Sequence, residues 1–418
     1  MNIFILLSLF VLVRALNSSI RDRVLNISQL ARKYNYPFEE HQVHTIDGYI
    51  INFHRIPNRN APVVFLMHGI LESSDTWVLL GPGKALAYVL ADQGYDVWMG
   101  NARGNKHANK HVSLDPSMIR YWEFSWEEIG VNDLPAMISY ILEVTGQHAL
   151  YYVGHSQGTT SGYVMCSMLP QYNNYIKMMF SLAPEAWMGN VKSPLVRMFS
   201  PAYNVLGYLL KDYNVHASGL NVFNKISSLV CSMLPGRCDN MVFALSGFET
   251  KVNESFLAVV FGHMPTGASM FQFVHYGQLV ESKRFCRYDF GTTKNFEVYK
   301  HSIPPDYDLS KITTPIVLFH SVKDWLSDPR DVNILKHHLP HVYSETNLSD
   351  FTHIDYVYAD DAKDVIYSQI IHHINNFESN TYLDVKHQHH ESAEVTTSDP
   401  IDFTEPSDYL EPDETNDE

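Results

Sequence analysis

The clearest chemistry in this chain lies at Gly154-His155-Ser156-Gln157-Gly158. The segment follows the apolar run Leu150 to Val153 and precedes a helical stretch from Thr159 to Met168. A serine at a sharp strand-to-helix turn exposes its hydroxyl, and the start of the helix favours nearby negative charge. The two glycines suit a turn that is strained and crowded by neighbouring backbone. The chemistry predicted is attack by Ser156 on a carbonyl carbon, with the acyl group carried on the serine.

Such a serine needs a base, and the base needs an orienting carboxylate. With the serine on this kind of turn, the chain order is Ser, then Asp or Glu, then His. The acid belongs in the loop beyond a late core strand. Ile316 to Phe319 reads as that strand and Ser321-Val322-Lys323-Asp324 as the loop, which makes Asp324 the candidate acid. Its rival, Asp328, directly precedes Pro329 and a helical pattern, the signature of an N-cap. The candidate base is His353, in Phe351-Thr352-His353-Ile354-Asp355 after the short strand at Val342-Tyr343. An amphipathic segment follows, with Ile366, Ile370, Ile374 and Phe377 on one face. His337, His338 and His341 read as surface residues. An oxyanion needs two backbone N–H donors. Gln157, after the nucleophile, is one; Ile70, in the loop Met67-His68-Gly69-Ile70, is the other. His68 precedes the nucleophile, the wrong order for the base, and is expected to shape that loop.

These residues need a scaffold. Short apolar runs recur at Val63 to Met67, Tyr95 to Met99, Leu150 to Val153, Met178 to Leu182 and Ile316 to Phe319, each followed by a turn and a helical pattern. That alternation predicts an α/β fold with a mostly parallel sheet covered on both faces. Val43 to His54 alternates around Asp47-Gly48 and reads as a leading antiparallel hairpin. The alternation stops after Leu182-Ala183-Pro184. Residues 186–305, rich in Phe, Tyr, Met and Leu and helically spaced from Leu195 to Leu210, read as a helical cap inserted between core segments 16–185 and 306–380.

The two ends differ from this body. Ile3 to Val13 is apolar but too short for a bilayer, which needs roughly 20 residues. With Val13-Arg14-Ala15 behind it, the run reads as a secretory signal over residues 1–15, although its start lacks Lys and Arg; a short membrane anchor is the alternative. No later run has the length and lack of charge of a transmembrane segment. Asn17, Asn26, Asn253 and Asn347 stand in Asn-X-Ser triplets as glycan candidates. Residues 381–418 hold twelve acidic residues and one Lys, too polar to fold alone. They carry most of the chain's net charge of −16, and the remaining body, near −5, does not suit a nucleic-acid partner. The cluster His387-Gln388-His389-His390 reads as a solvated run rather than a metal site. Of four cysteines, Cys231 and Cys238 are close enough in sequence to pair; Cys166 reads as a buried thiol, and Cys286 is open.

At these residues the chain resembles the acid lipase family of the α/β-hydrolase superfamily, which includes gastric and lysosomal acid lipases and insect lipases. The match runs from about Tyr36 to Phe377. It includes Thr45-Ile46-Asp47-Gly48-Tyr49-Ile50, His54-Arg55-Ile56-Pro57, His68-Gly69 and Gly100-Asn101-Ala102-Arg103-Gly104-Asn105. Phe124-Ser125-Trp126-Glu127-Glu128-Ile129-Gly130, Asp133-Leu134-Pro135-Ala136, the Gly154 to Gly158 turn and Lys323-Asp324-Trp325-Leu326-Ser327-Asp328 complete it. Ser327 stands where the family usually has Ala. The resemblance implies an α/β-hydrolase fold with a lid in the cap. It also implies hydrolysis of neutral lipid esters, triacylglycerol or cholesteryl ester, at a lipid–water interface, without cofactor or metal. Its implied setting is secreted, with the lysosome as the alternative. An esterase for small soluble esters and a non-catalytic lipid-binding protein on the same scaffold are the competing functions. Because the acidic tail has no apolar face to dock, deleting residues beyond Tyr382 should leave activity and thermal midpoint nearly unchanged. A large loss of either would show that the tail packs on the body.

Overall fold

The computed structural model of the chain describes Asp22 and residues 25–202, 246–247, 250–252 and 254–379. The described residues up to Ile371 belong to one compact unit; the described part of the other, residues 372–379, is helical. Nine strands form one sheet: β1 (Glu39–His44), β2 (Tyr49–Ile56), β3 (Val63–Met67), β4 (Asp96–Met99), β5 (Lys110–His111), β6 (Leu150–His155), β7 (Ile176–Leu182), β8 (Ile316–Ser321) and β9 (Val342–Leu348). Their order is β1-β2-β4-β3-β6-β7-β8-β9, with β5 beside β2. The run from β4 to β9 is parallel, and β1 and β2 add an antiparallel hairpin at one side. This is the mostly parallel sheet and leading hairpin that the sequence predicts. The central strands are mostly apolar because both their faces are covered: all residues of β3, β4, β6 and β8 are buried. The outermost strands, β1 and β9, alternate between half-buried and exposed residues up to the buried Leu348, as strands with one covered side do.

Helices α1 (Ile27–Lys33), α2 (Leu86–Asp92), α3 (Leu134–Thr145) and α4 (Gln157–Met168) precede or join the first parallel strands. Among the described residues, four more lie between β7 and β8: α5 (Pro194–Phe199), α6 (Glu254–His263), α7 (Met270–Ser282) and α8 (Thr292–Tyr299). Helix α9 (Pro329–His338) joins β8 to β9. Asp328 caps α9, accepting from Arg330 N, with Pro329 in the first turn, as its sequence context predicts. Asn26, a glycan candidate, is exposed and caps α1 in a capping box with Gln29; Asn347 is exposed on β9. Asn17, Asn253, Cys231, Cys238 and the acidic tail lie outside the described residues. Cys166, in α4, and Cys286 are buried free thiols.

Among the described residues, the stretch between β7 and β8 adds no strand to the sheet, only an isolated bridge between Cys286 and Asp306. Polar and aromatic contacts fasten it to the rest of the compact unit. The His275 ring stacks on Trp126 with centroids 3.8 Å apart and meets Ser125 Oγ at 2.6 Å. Arg287 donates to both carboxylate oxygens of Glu127, at 2.6 and 3.1 Å.

One close approach decides where the site forms. A Cβ on Gly158, in the first turn of α4, would lie 2.3 Å from the Met67 carbonyl oxygen at the end of β3. No side chain fits there, and the obstacle is backbone. Gly154 faces the same limit from within the turn, where a Cβ would lie 2.8 Å from Thr159 N. Gly158→Ala should therefore destabilise the protein by about 3 kcal/mol or more, the scale of severe overpacking. Gly162→Ala, whose Cβ would meet only side-chain atoms of Met179 and Tyr152 at 3.1 Å, should cost much less. Thermal unfolding of the two variants side by side checks the contrast.

Candidate active site

Ser156 directly follows β6 and precedes α4, with φ 51° and ψ −122°. A non-glycine residue in this conformation is strained by about 1–3 kcal/mol and persists only where its surroundings hold it. They do so on both sides. Ser156 N donates to Leu182 O in β7 at 3.0 Å, while its carbonyl accepts from Thr159 N at 2.8 Å and Thr159 Oγ1 at 2.7 Å. The turn projects the Ser156 side chain beyond the carboxyl ends of the parallel strands, where ligands bind in sheets of this kind.

The loops after β8 and β9 bring Asp324 and His353 to the same edge. His353 Nε2 lies 2.8 Å from Ser156 Oγ, and its Nδ1 lies 3.0 Å from both Asp324 oxygens. In the neutral ring this geometry has Nδ1–H donating to Asp324 and Nε2 accepting the Ser156 hydroxyl. Asp324 is fully buried and its Oδ1 also accepts from the N–H groups of Leu326 and Ser327, both at 2.9 Å. The three residues selected by chain order are thus brought into one hydrogen-bonded line. Asp328 is held elsewhere, by Arg330 and Lys192.

Gly69, after β3, abuts Ser156: a Cβ there would come within 3.1 Å of Ser156 Cβ. This close passage brings the backbone leading to Ile70 alongside Ser156. The Gln157 N–H is in the first turn of α4, where no intrahelical acceptor exists. Gly69, directly before the candidate Ile70, and the candidate Gln157 thus both adjoin the serine. His68 serves the loop, as expected: Nδ1–H donates to Gly69 O at 2.7 Å and Nε2 accepts from Ala102 N at 3.1 Å.

Sequence reading missed two buried carboxylates. Glu72, after β3, accepts from Gly69 N at 2.7 Å and lies 3.3 Å from His155 Nδ1. Burial would raise its pKa, but His155 and the Gly69 N–H hold it below the usual range. His155 Nε2 in turn donates to the His353 carbonyl at 2.9 Å, which holds the backbone at His353. Glu185, after β7, has Oε1 3.6 Å from His353 Nε2. Burial would lower the His353 pKa, but the carboxylates of Asp324, Glu185 and Glu72 outweigh it and raise it to about 9. The sequence did hold a signal for both: each acid stands within five residues of the carboxyl end of a predicted parallel strand, the edge where sites form.

A strained serine in line with a histidine and a buried carboxylate, at the carboxyl edge of a parallel sheet, is the arrangement for acyl transfer. The architecture is the α/β-hydrolase fold, and the model described as "alpha/beta hydrolase fold" matches residues 62–217. Residues 27–81 match "Partial alpha/beta-hydrolase lipase region". The chain is 38% identical to "Lipase 1" of Drosophila melanogaster, over 84% of this chain and 80% of that protein. It is 38% identical to human "Gastric triacylglycerol lipase", over 83% of this chain and 90% of the relative. With human "Lysosomal acid lipase/cholesteryl ester hydrolase" the identity is 36%, over 85% and 92% respectively. The chain belongs to the family of gastric and lysosomal acid lipases and insect lipases.

Asp324→Asn should lower kcat by about four orders of magnitude, because the amide favours the wrong tautomer of the base. Asp328→Asn, an N-cap exchanged for another good one, should leave kcat within about threefold. Steady-state kinetics of the pair decide the assignment; the reverse ranking would refute it.

Proposed function

We propose that this chain is a serine lipase that hydrolyses carboxylic esters of neutral lipids, triacylglycerol or cholesteryl ester, through an acyl-enzyme on Ser156. The observation that carries the reading is the line from Ser156 Oγ through the His353 ring to Asp324, at 2.8 and 3.0 Å. Ser156 attacks the ester carbonyl as His353 takes its proton, and Asp324 stabilises the imidazolium. The N–H groups of Ile70 and Gln157 stabilise the oxyanion. The protonated His353 then gives its proton to the leaving alcohol. Water, activated by the same base, attacks the acyl-enzyme and releases the fatty acid and free Ser156. Every step uses this chain's own side chains and backbone.

In this reading residues 186–305 form a cap whose lid covers the acyl site. Closure hides Ser156, and a lipid surface favours the open state by offering apolar surface to cover. The enzyme acts in the secretory route, in keeping with the apolar run of Ile3 to Val13; Asn26 and Asn347, both exposed, are available for glycans there. Among the described residues no helix is long and apolar enough to cross a membrane. Cys231 and Cys238 pair as a disulfide.

A substrate comparison tests the reading. Emulsified long-chain triacylglycerol should be turned over, and the rate on a short-chain ester should rise sharply once its concentration passes the solubility limit. A simple hyperbola through that limit with no activity on the emulsion would assign the chain to small soluble esters. A fluorophosphonate probe should label wild-type protein and spare Ser156→Ala; labelling of both would remove Ser156 from the mechanism.

A further inference from the structure

The two candidate oxyanion donors come from separate elements: Ile70 from the loop after β3, Gln157 from the start of α4. One short stretch, residues 266–272, hydrogen-bonds to the surroundings of both. Thr266 N donates to Leu71 O at 2.9 Å, and the Thr266 hydroxyl donates to Glu72 O at 2.6 Å and lies 3.2 Å from Leu71 O. Further on, in the first turn of α7, Gln272 Nε2 donates to Gln157 Oε1 at 3.0 Å. Thr266, Gln272 and Gln157 are all buried. We propose that Thr266 and Gln272 are positioning residues for the developing oxyanion: together they clamp the Ile70 turn and the Gln157 amide in the arrangement that one charged oxygen needs. The proposal rests on the reading above, with Ser156 as nucleophile and these two N–H groups as donors.

The Ile70 turn needs such a hold. Leu71, the next residue, has φ 64°, a region that a non-glycine residue keeps only under constraint. Relaxation there would rotate the neighbouring peptides. Thr266 prevents it by holding the carbonyls of Leu71 and Glu72. On the other side of Ile70, Gly69 N donates to the Glu72 carboxylate at 2.7 Å, and Gly69 O accepts from His68 Nδ1–H at 2.7 Å. The C=O and N–H of a trans peptide point in opposite directions, so anchoring Gly69 O also fixes the direction of the Ile70 N–H. Ile70 thus stands between two anchored carbonyls, and Thr266 supplies the second anchor.

Gln157 has a different need. Its side chain is buried, and a buried amide oxygen requires a donor. Without Gln272 it would turn toward another donor and pull on the peptide that carries the candidate oxyanion N–H. Gln272 is itself oriented. Its Oε1 accepts from Ser269 N at 2.7 Å in a capping box, which turns its NH2 group to Gln157. Ser269 Oγ donates to Trp122 O at 2.5 Å. Between the two positioning residues the chain presses on other backbone: a Cβ on Gly267 would lie 2.5 Å from Gly104 O. Thr266 and Gln272 are therefore held at a fixed separation, and donors fixed in advance stabilise a developing charge without reorganising.

The test compares wild type, Thr266→Val, Thr266→Ser and Gln272→Met in the full chain. It combines kcat and KM on a soluble chromogenic ester with the inhibition constant of a trifluoromethyl ketone. Addition of Ser156 Oγ to that ketone gives a tetrahedral adduct whose oxygen is charged, as in the ester's intermediate. Thr266→Val and Gln272→Met should each lower kcat by about 10- to 100-fold, the scale of a misplaced reacting group. KM should stay within about twofold, because the lost interaction is made only in the transition state. The ketone's inhibition constant should rise by the same factor as kcat falls. A merely structural role would behave otherwise: a smaller folded fraction lowers kcat and leaves the inhibition constant unchanged. Thr266→Ser, which restores the hydroxyl, should return both values toward wild type. In a Gln157→Met background, which keeps the backbone N–H, Gln272→Met should have little further effect, since its partner is already gone. Thermal unfolding reads folding separately, and Thr266→Ala replaces Thr266→Val should the latter fail to fold. An inhibition constant that stays at its wild-type value in either folded variant overturns the clamp alone. Failure of the ketone to inhibit active wild-type enzyme, or full turnover by Ser156→Ala, overturns the reading on which it rests.

Discussion

Contact between two backbones, Gly158 in the first turn of α4 and Met67 at the end of β3, is the constraint from which the site follows. At that distance no side chain fits between them. The close packing allows α4 to begin within one residue of β6, which forces Ser156 into its positive φ. The strain is held by hydrogen bonds to β7 and to Thr159 rather than relaxed. The loop after β3 lies against the serine at Gly69. The turn and the placement of the Ser156 side chain thus share one steric origin.

Around that turn the parallel sheet gathers charge. Neighbouring parallel strands end at one edge, and β3, β6, β7, β8 and β9 each deliver a polar residue there: Glu72, Ser156, Glu185, Asp324 and His353. A buried carboxylate is tolerated only with partners. Glu72 has His155 and the Gly69 amide, Asp324 has His353 and two backbone amides, and Glu185 has Tyr276 and the far side of His353. Carboxylates from three loops face the His353 ring, and its affinity for a proton reflects the whole cluster rather than one neighbour.

The stretch between β7 and β8 takes part in this arrangement directly. Tyr276 reaches Thr160 and Glu185, Gln272 donates to the side chain of Gln157 at 3.0 Å, and Thr266 N donates to Leu71 O at 2.9 Å. The His353 N–H itself donates to Ser246 O at 3.1 Å. Residues proposed as a cap thus hydrogen-bond to groups at or within a few residues of Ser156 and His353. A movement of this segment would change the surroundings of the reacting groups as well as the access to them.

Chain order and local pattern were enough to select Ser156, Asp324 and His353, because each carries a signature in its own neighbours. The serine has its glycines, Asp324 follows a buried apolar strand, and Asp328 is set apart by the proline that makes it a cap. The strands were legible for the same reason: a strand covered on both faces is apolar at every position, and that can be read along the chain. Glu72, Glu185 and Tyr276 carry no such mark. Each looks like an ordinary loop or helix residue, and its meaning comes from partners distant in the chain, 168 residues away for Glu185 and His353. What the sequence determined by itself was the set of candidate reacting groups, since their types and local turns are inseparable. What only the tertiary structure decided was their electrostatic setting, because the field at His353 is the sum of charges that meet only when the parallel strands end side by side.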